Sequence, residues 1–86
     1  MGEENVVEVG CVTHYFTKIS VAIVELSASL TVGDTIFIKG PTTDFKQDVE
    51  SMQIEHENVE AAEAGQSIGL KVQERVRVKD MVYKKL

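Results

Sequence analysis

The sequence predicts an all-β domain of about six short strands, arranged as a closed barrel or a sandwich. Three observations lead there. β-branched residues dominate the apolar runs, and several runs alternate with period two, as in Val7-x-Val9-x-Cys11, Ile36-x-Ile38 and Ile68-x-Leu70-x-Val72. Turn signals built on Gly, Asp, Asn and Pro recur roughly every 8–12 residues. The one stretch of helical composition, Asn58 to Gly65, is only about two turns long, and isolated short helices are marginal.

The first strand is expected within Glu4 to Phe16, where Gly10 suggests a bulge or a close backbone approach. The second is Lys18 to Leu26. Ile19, Val21 and Ile23 share one of its faces and Ala22, Val24 and Leu26 the other, so it should be central or covered on its outer side. Gly33-Asp34 marks a tight turn into a strand carrying Ile36 and Ile38. Gly40-Pro41-Thr42-Thr43-Asp44 is a loop, with the single proline placed where its missing N–H costs no ladder bond.

Phe45 to Ile54 reads as one strand of mixed faces with room for a bulge. Asn58 to Gly65 reads as a loop or a single helical turn, with Gly65 ending it. Ser67 to Val72 is a strand with Ile68, Leu70 and Val72 inward. Val76 to Tyr83 closes the chain, with Val76 and Val78 inward, and pairs back to the first strand.

With 86 residues the chain holds one domain, expected over 6–86 behind a flexible N-terminus of residues 1–5. A domain of this size buries roughly 60–65% of its unfolded surface, which leaves little core for a deep active site. Apolar residues make up 43% and charged residues 27%, an ordinary globular balance. The single cysteine, Cys11, excludes an internal disulfide and any CxxC metal site and fits a reducing cytosol. The acidic start Met1-Gly2-Glu3-Glu4 is no signal peptide, and no apolar run nears the ~20 residues of a membrane span. A cytoplasmic protein without membrane contact is expected.

The net charge is −5 but unevenly placed: residues 1–70 carry 3 basic and 12 acidic residues, whereas 71–86 carry 6 basic and 2 acidic. An acidic domain is a poor default nucleic-acid binder, and the basic end leaves room for one anion-binding patch.

Three segments stand out in order: Leu30-x-Val32-Gly33-Asp34-x-Ile36-x-Ile38-x-Gly40, then Gln47-x-Val49-x-Ser51-Met52-Gln53-Ile54, then Val59-x-x-Ala62-x-Ala64-Gly65-x-x-Ile68-Gly69-Leu70. With the closing Val78-x-Asp80-x-Val82-Tyr83, this set resembles domain two of the translation GTPases, the β-barrel of elongation factor Tu and initiation factor two. The resemblance covers residues 7–84 or so. It implies a small, closed or nearly closed six-stranded antiparallel Greek-key barrel. It further implies a binding module whose partner is RNA (tRNA or ribosomal RNA) or a translation-associated protein. The chain lacks a GxxxxGK[ST] phosphate loop, so no nucleotide is expected. It also lacks that barrel's glycine-arginine-glycine segment between Cys11 and Val24. The terminal barrel of U32-type, collagenase-like peptidases shares the Val-Gly-Asp turn, and the second reading is an accessory barrel subunit for a separately encoded enzyme of that kind.

No chemistry assembles from the remaining residues. His14 and His56 have no third ligand at metal spacing, and Cys11 has no adjacent base. Glu55, Glu57, Glu60 and Glu63 read as a solvated acidic run. The chain is therefore expected to be no enzyme and to hold neither cofactor nor metal. Arg75, Arg77 and Lys79 alternate, so on a strand they form one basic stripe. With Lys71 nearby, this is the expected RNA- or partner-binding surface.

Overall fold

The computed structural model describes residues 5–86; the expected flexibility of residues 1–5 falls almost wholly outside them. Among the described residues ten strands form: β1 (Val6–Phe16), β2 (Val21–Leu26), β3 (Leu30–Thr31), β4 (Thr35–Gly40), β5 (Thr43–Asp48), β6 (Met52–Ile54), β7 (Glu57–Val59), β8 (Ala61–Ala62), β9 (Ser67–Lys71) and β10 (Met81–Lys85). Eight make one antiparallel sheet in the order β5-β4-β10-β1-β2-β9-β6-β7, and β3 pairs with β8 in a separate ribbon. No helix forms among the described residues.

The all-β expectation holds, but the closed six-stranded barrel does not. The ladder stays open, because its two edge strands, β5 and β7, do not pair with each other. Val49 N–H donates to Asp34 C=O at 2.8 Å, continuing the β4–β5 ladder, and Val32 N–H to Glu60 C=O at 2.9 Å, continuing the β3–β8 ribbon. The amide of Gln47, on β5, reaches the end of β9: Nε2 donates to Lys71 C=O at 3.0 Å, and Oε1 accepts from Gln73 N–H at 2.8 Å. One buried polar side chain thus ties the edge strand β5 to the end of β9, with which it has no backbone pairing, and has its own polar atoms satisfied.

The core is aliphatic. Val9, Val12, Ala22, Val24, Leu30, Ile36, Ile38, Met52, Leu70 and Val82 are fully buried, with Ile68 and Val76 almost so. The sheet curls around these side chains, which supply most of the folding free energy. The bulge expected near Gly10 is present: Glu8 pairs with Tyr83 and Gly10 with Val82, leaving Val9 extra. The extra residue shifts the inward face, so Val9 and Val12 are buried while Cys11 points out half-exposed. A second shift between Val12 and His14 turns His14 and Phe16 outward beside Ile23 and Val21.

Three local expectations are corrected. Residues 45–54 are not one strand: the chain breaks at 49–51, and the inward face passes from Gln47 and Val49 to Met52. Asn58 to Ala62 is neither a loop nor a helical turn but extended, because Glu57–Val59 pairs with β6 and Ala61–Ala62 with β3, while Gly65 ends the segment in a turn at φ +92°. Cross-strand hydrogen bonds outcompete a two-turn helix that has no length to stabilise it. The closing strand starts at Met81, not Val76, and Val78 is 53% exposed instead of inward. The Gly33 turn forms as expected, with φ +100°, and Asp34 Oδ2 accepts Thr31 N–H at 2.9 Å.

Candidate functional site

The connection between β9 and β10, residues 72–80, is irregular but pinned at both ends. Val72 and Val76 are buried as anchors. Gln73 N–H is held by Gln47. Asp80, 1% exposed, folds its carboxylate back so that Oδ2 accepts Arg77 N–H at 2.8 Å, while Asp80 N–H donates to Arg77 C=O at 3.1 Å. Lys79 N–H donates to Val12 C=O at 2.7 Å, and Val12 N–H to Asp80 C=O at 2.9 Å. Lys79 takes the left-handed φ of +80° that this tight turn requires.

The basic stripe is therefore not a strand face. Ladder pairing fails here because the chain turns over Asp80 before it can run beside β1. Arg75, Arg77 and Lys79 still share this one anchored loop, all exposed, with Val78 between Arg77 and Lys79. Lys71 is not part of the group. It ends β9, and its Nζ donates to Ile19 C=O at 3.1 Å in the β1–β2 turn.

The structure shows a second surface, a shallow groove of about 340 Å³ on the outer face of β1, β2, β9 and β6. Its walls are Phe16 and Ile19, 48% and 57% exposed, with Val21 and Ile23 between them. Gly69 opens the floor: a Cβ there would stand 3.5 Å from Val21 Cγ1 and 3.8 Å from Ile23 Cδ1, so a side chain would fill the groove. His14 stacks on Phe16 with centroids 6.4 Å apart and an interplanar angle of 13°. Glu55 and His56, both at positive φ in the β6–β7 turn, line the far end.

Sequence reasoning did not single out this groove, although its signal was present. The apolar outer face Ile19, Val21 and Ile23 already called for a cover. What the sequence did not show was the second register shift, which brings Phe16 to that face. Among the described residues no three His, Cys, Asp or Glu side chains gather as metal ligands. Cys11 lies on the outer face of β1, with its thiol donating weakly to Val12 C=O at 3.8 Å.

No protein-family model matches the chain. It is 45% identical over 78 residues to an uncharacterised protease of Methanocaldococcus jannaschii, an alignment covering 90% of this chain and 19% of that protein. It is 43% identical over 72 residues to collagenases of Porphyromonas gingivalis, covering 81% of this chain and 20% and 17% of theirs. The chain thus spans about a fifth of the length of the curated relatives it matches. In fold it is similar to the crystal structure of the C-terminal domain of a Geobacillus thermoleovorans protein described as a U32 peptidase. The TM-score is 0.85 and the identity 25%, with 91% of each chain covered. The selenomethionine variant of that domain gives a TM-score of 0.84 at 24% identity, covering 88% of this chain and 96% of that one.

These similarities overturn the translation-factor reading and the translation role drawn from it. The Val-Gly-Asp turn and the spaced glycines that suggested it meet needs common to small curled sheets, tight turns and close strand approach, and so do not separate one such family from another. The chain has the fold of the C-terminal domain of a U32 peptidase, and its relatives in sequence are a protease and collagenases.

Proposed function

We propose that the chain is a non-catalytic accessory domain of U32-type peptidases, docking on a larger protein body. The observation that carries this reading is the match of nearly the whole chain to a C-terminal domain of that type, while about four-fifths of each protease relative lies outside the aligned region. The 72–80 loop is the docking contact. Anchored at Val76 and Asp80, it loses little freedom on binding. It offers two exposed arginines, a residue type enriched at interface hot spots. Its positive charge on an otherwise acidic domain favours an acidic partner surface.

The test mixes the purified chain with a U32 peptidase body lacking its own terminal domain and follows association by calorimetry. Binding should occur, and Arg75→Glu, Arg77→Glu and Lys79→Glu together should weaken it at least tenfold without moving the thermal midpoint. Peptide hydrolysis by the chain alone, or binding indifferent to the triple reversal, would overturn the proposal.

A further inference from the structure

Strand β5 lies at an edge of the open sheet, and among the described residues β4 is its one strand partner. Pro41-Thr42 alone joins the two strands, so Gly40 and Thr43 close a two-residue hairpin and exchange backbone hydrogen bonds. Antiparallel ladders alternate bonded and non-bonded pairs. Phe45 and Gln47 therefore bond to Ile38 and Ile36, whereas Asp44 and Lys46 turn their N–H and C=O groups away from β4. The side chains alternate too: Thr43, Phe45 and Gln47 face inward, and Asp44, Lys46 and Asp48 are exposed. The two central charges are loosely held. Asp44 Oδ1 lies 3.9 Å from Lys39 Nζ, and Lys46 Nζ lies 5.9 Å from the centroid of the Phe37 ring.

We propose that this edge pairs with the same edge of a second copy of the chain, antiparallel about a two-fold axis at Phe45. In that register Asp44 of each copy faces Lys46 of the other, and each facing pair exchanges both backbone hydrogen bonds. Opposite charges directly across a ladder attract, and like charges there repel. The other registers that match the outward backbone groups do worse. Centring on Asp44 sets the aspartate against itself, and centring on Lys46 does the same to the lysine. Centring on Gln47 opposes Lys46 to Asp48 but sets Asp44 against Glu50, beyond the end of β5. The axis at Phe45 gives the self-complementary contact that a two-fold dimer needs. It also brings the two half-buried Phe45 rings together on the inner side of the sheet.

A lysine on an edge strand ordinarily guards against pairing. Here one register neutralises the guard, so Lys46 selects that register instead of forbidding contact. The pairing ends at Gln47, where the other copy's strand reaches Thr43 and leaves at its own Pro41-Thr42 turn. The segment that Gln47 holds, Lys71 to Gln73, lies past this end. The contact is short and the net charge of −5 opposes it, so the dimer is weak and in rapid exchange.

Sedimentation equilibrium of the purified chain tests the inference. The mass should rise from the 9.5 kDa of one chain toward twice that value between about 20 µM and about 1 mM protein, the range expected of a small interface. Amide exchange at Asp44 and Lys46 should slow over the same range. Lys46→Asp and Asp44→Lys, both at exposed positions, should each weaken the dimer about tenfold or more with the fold intact by circular dichroism, and the two together should restore it. Asp44→Lys removes one negative charge and adds one positive, taking the net charge from −5 to −3. General repulsion alone predicts tighter association of that variant, the reverse of the outcome expected from the facing pairs. A monomer at every concentration would overturn the proposal. So would a dimer without slowed exchange at Asp44 and Lys46, a single reversal that dimerises like the parent, or a double swap that restores nothing. A chain that stays monomeric while either reversal weakens its association with a peptidase body would give the edge to that body and equally overturn it.

Discussion

Replacing Gln47 with leucine tests how the edge strand β5 of the open sheet is tied to the end of β9. The side chain is 5% exposed and spans from β5 to the exit of β9. It donates to Lys71 C=O at 3.0 Å and accepts from Gln73 N–H at 2.8 Å, with a weaker bond to Asp48 C=O at 3.3 Å. Leucine keeps most of the volume and removes every one of these bonds. Two good hydrogen bonds contribute about 1 kcal/mol each, and leaving a part-buried carbonyl and N–H unpaired adds to the loss, for a total of about 2–3 kcal/mol. That is a sizeable part of the ~5–15 kcal/mol a small domain possesses, so the variant should fold with its midpoint lowered by about 10–20 °C. Urea unfolding followed by circular dichroism measures the free energy, and hydrogen exchange should show lost protection at Gln73 N–H. A loss below about 0.5 kcal/mol would mean that water replaces the amide, and the side-chain bridge between β5 and β9 would no longer account for the cohesion of the open sheet.

Three further outcomes follow from the same packing. A Cβ at Gly40 would overlap Asp80 Oδ1, so Gly40→Ala should cost about 1–3 kcal/mol by overpacking and release Arg77 N–H, seen as faster exchange at that amide. Leu70→Ala, at a fully buried position in β9, should cost about 2–5 kcal/mol in chemical denaturation. Gly33→Ala meets open space but keeps a φ of +100°; a cost of about 1–2 kcal/mol is expected from backbone strain alone, and an unchanged midpoint would show that the turn relaxes.

The legible part of the fold was what local chemistry writes into neighbouring residues. Alternation in Ile68-x-Leu70-x-Val72 named a strand and its buried face correctly, and that in Ala22-x-Val24-x-Leu26 a strand with two apolar faces, because period two is a property of the extended chain itself. Gly33-Asp34 named its turn for the same reason.

Several outcomes rest on long-range pairing. Asn58 to Gly65 carries helical composition, yet its residues up to Ala62 are extended, because β3 and β6 offer them partners. Arg75-Val76-Arg77-Val78-Lys79 alternates like a strand yet is a loop, because Asp80 turns the chain and Gln47, 26 residues before Gln73, holds the loop's start. The groove needed both the apolar outer face of β2, which the sequence showed, and the register shift at Thr13 that turns Phe16 toward it, which depends on how β1 pairs with β2. By itself the sequence determined an all-β chain, its main turns and most of its core, since those follow from side-chain period and backbone freedom. Whether the sheet closes, where the basic residues gather and which apolar face stays uncovered were decided by tertiary contacts between residues far apart in the chain, whose hydrogen bonds outweigh local preference.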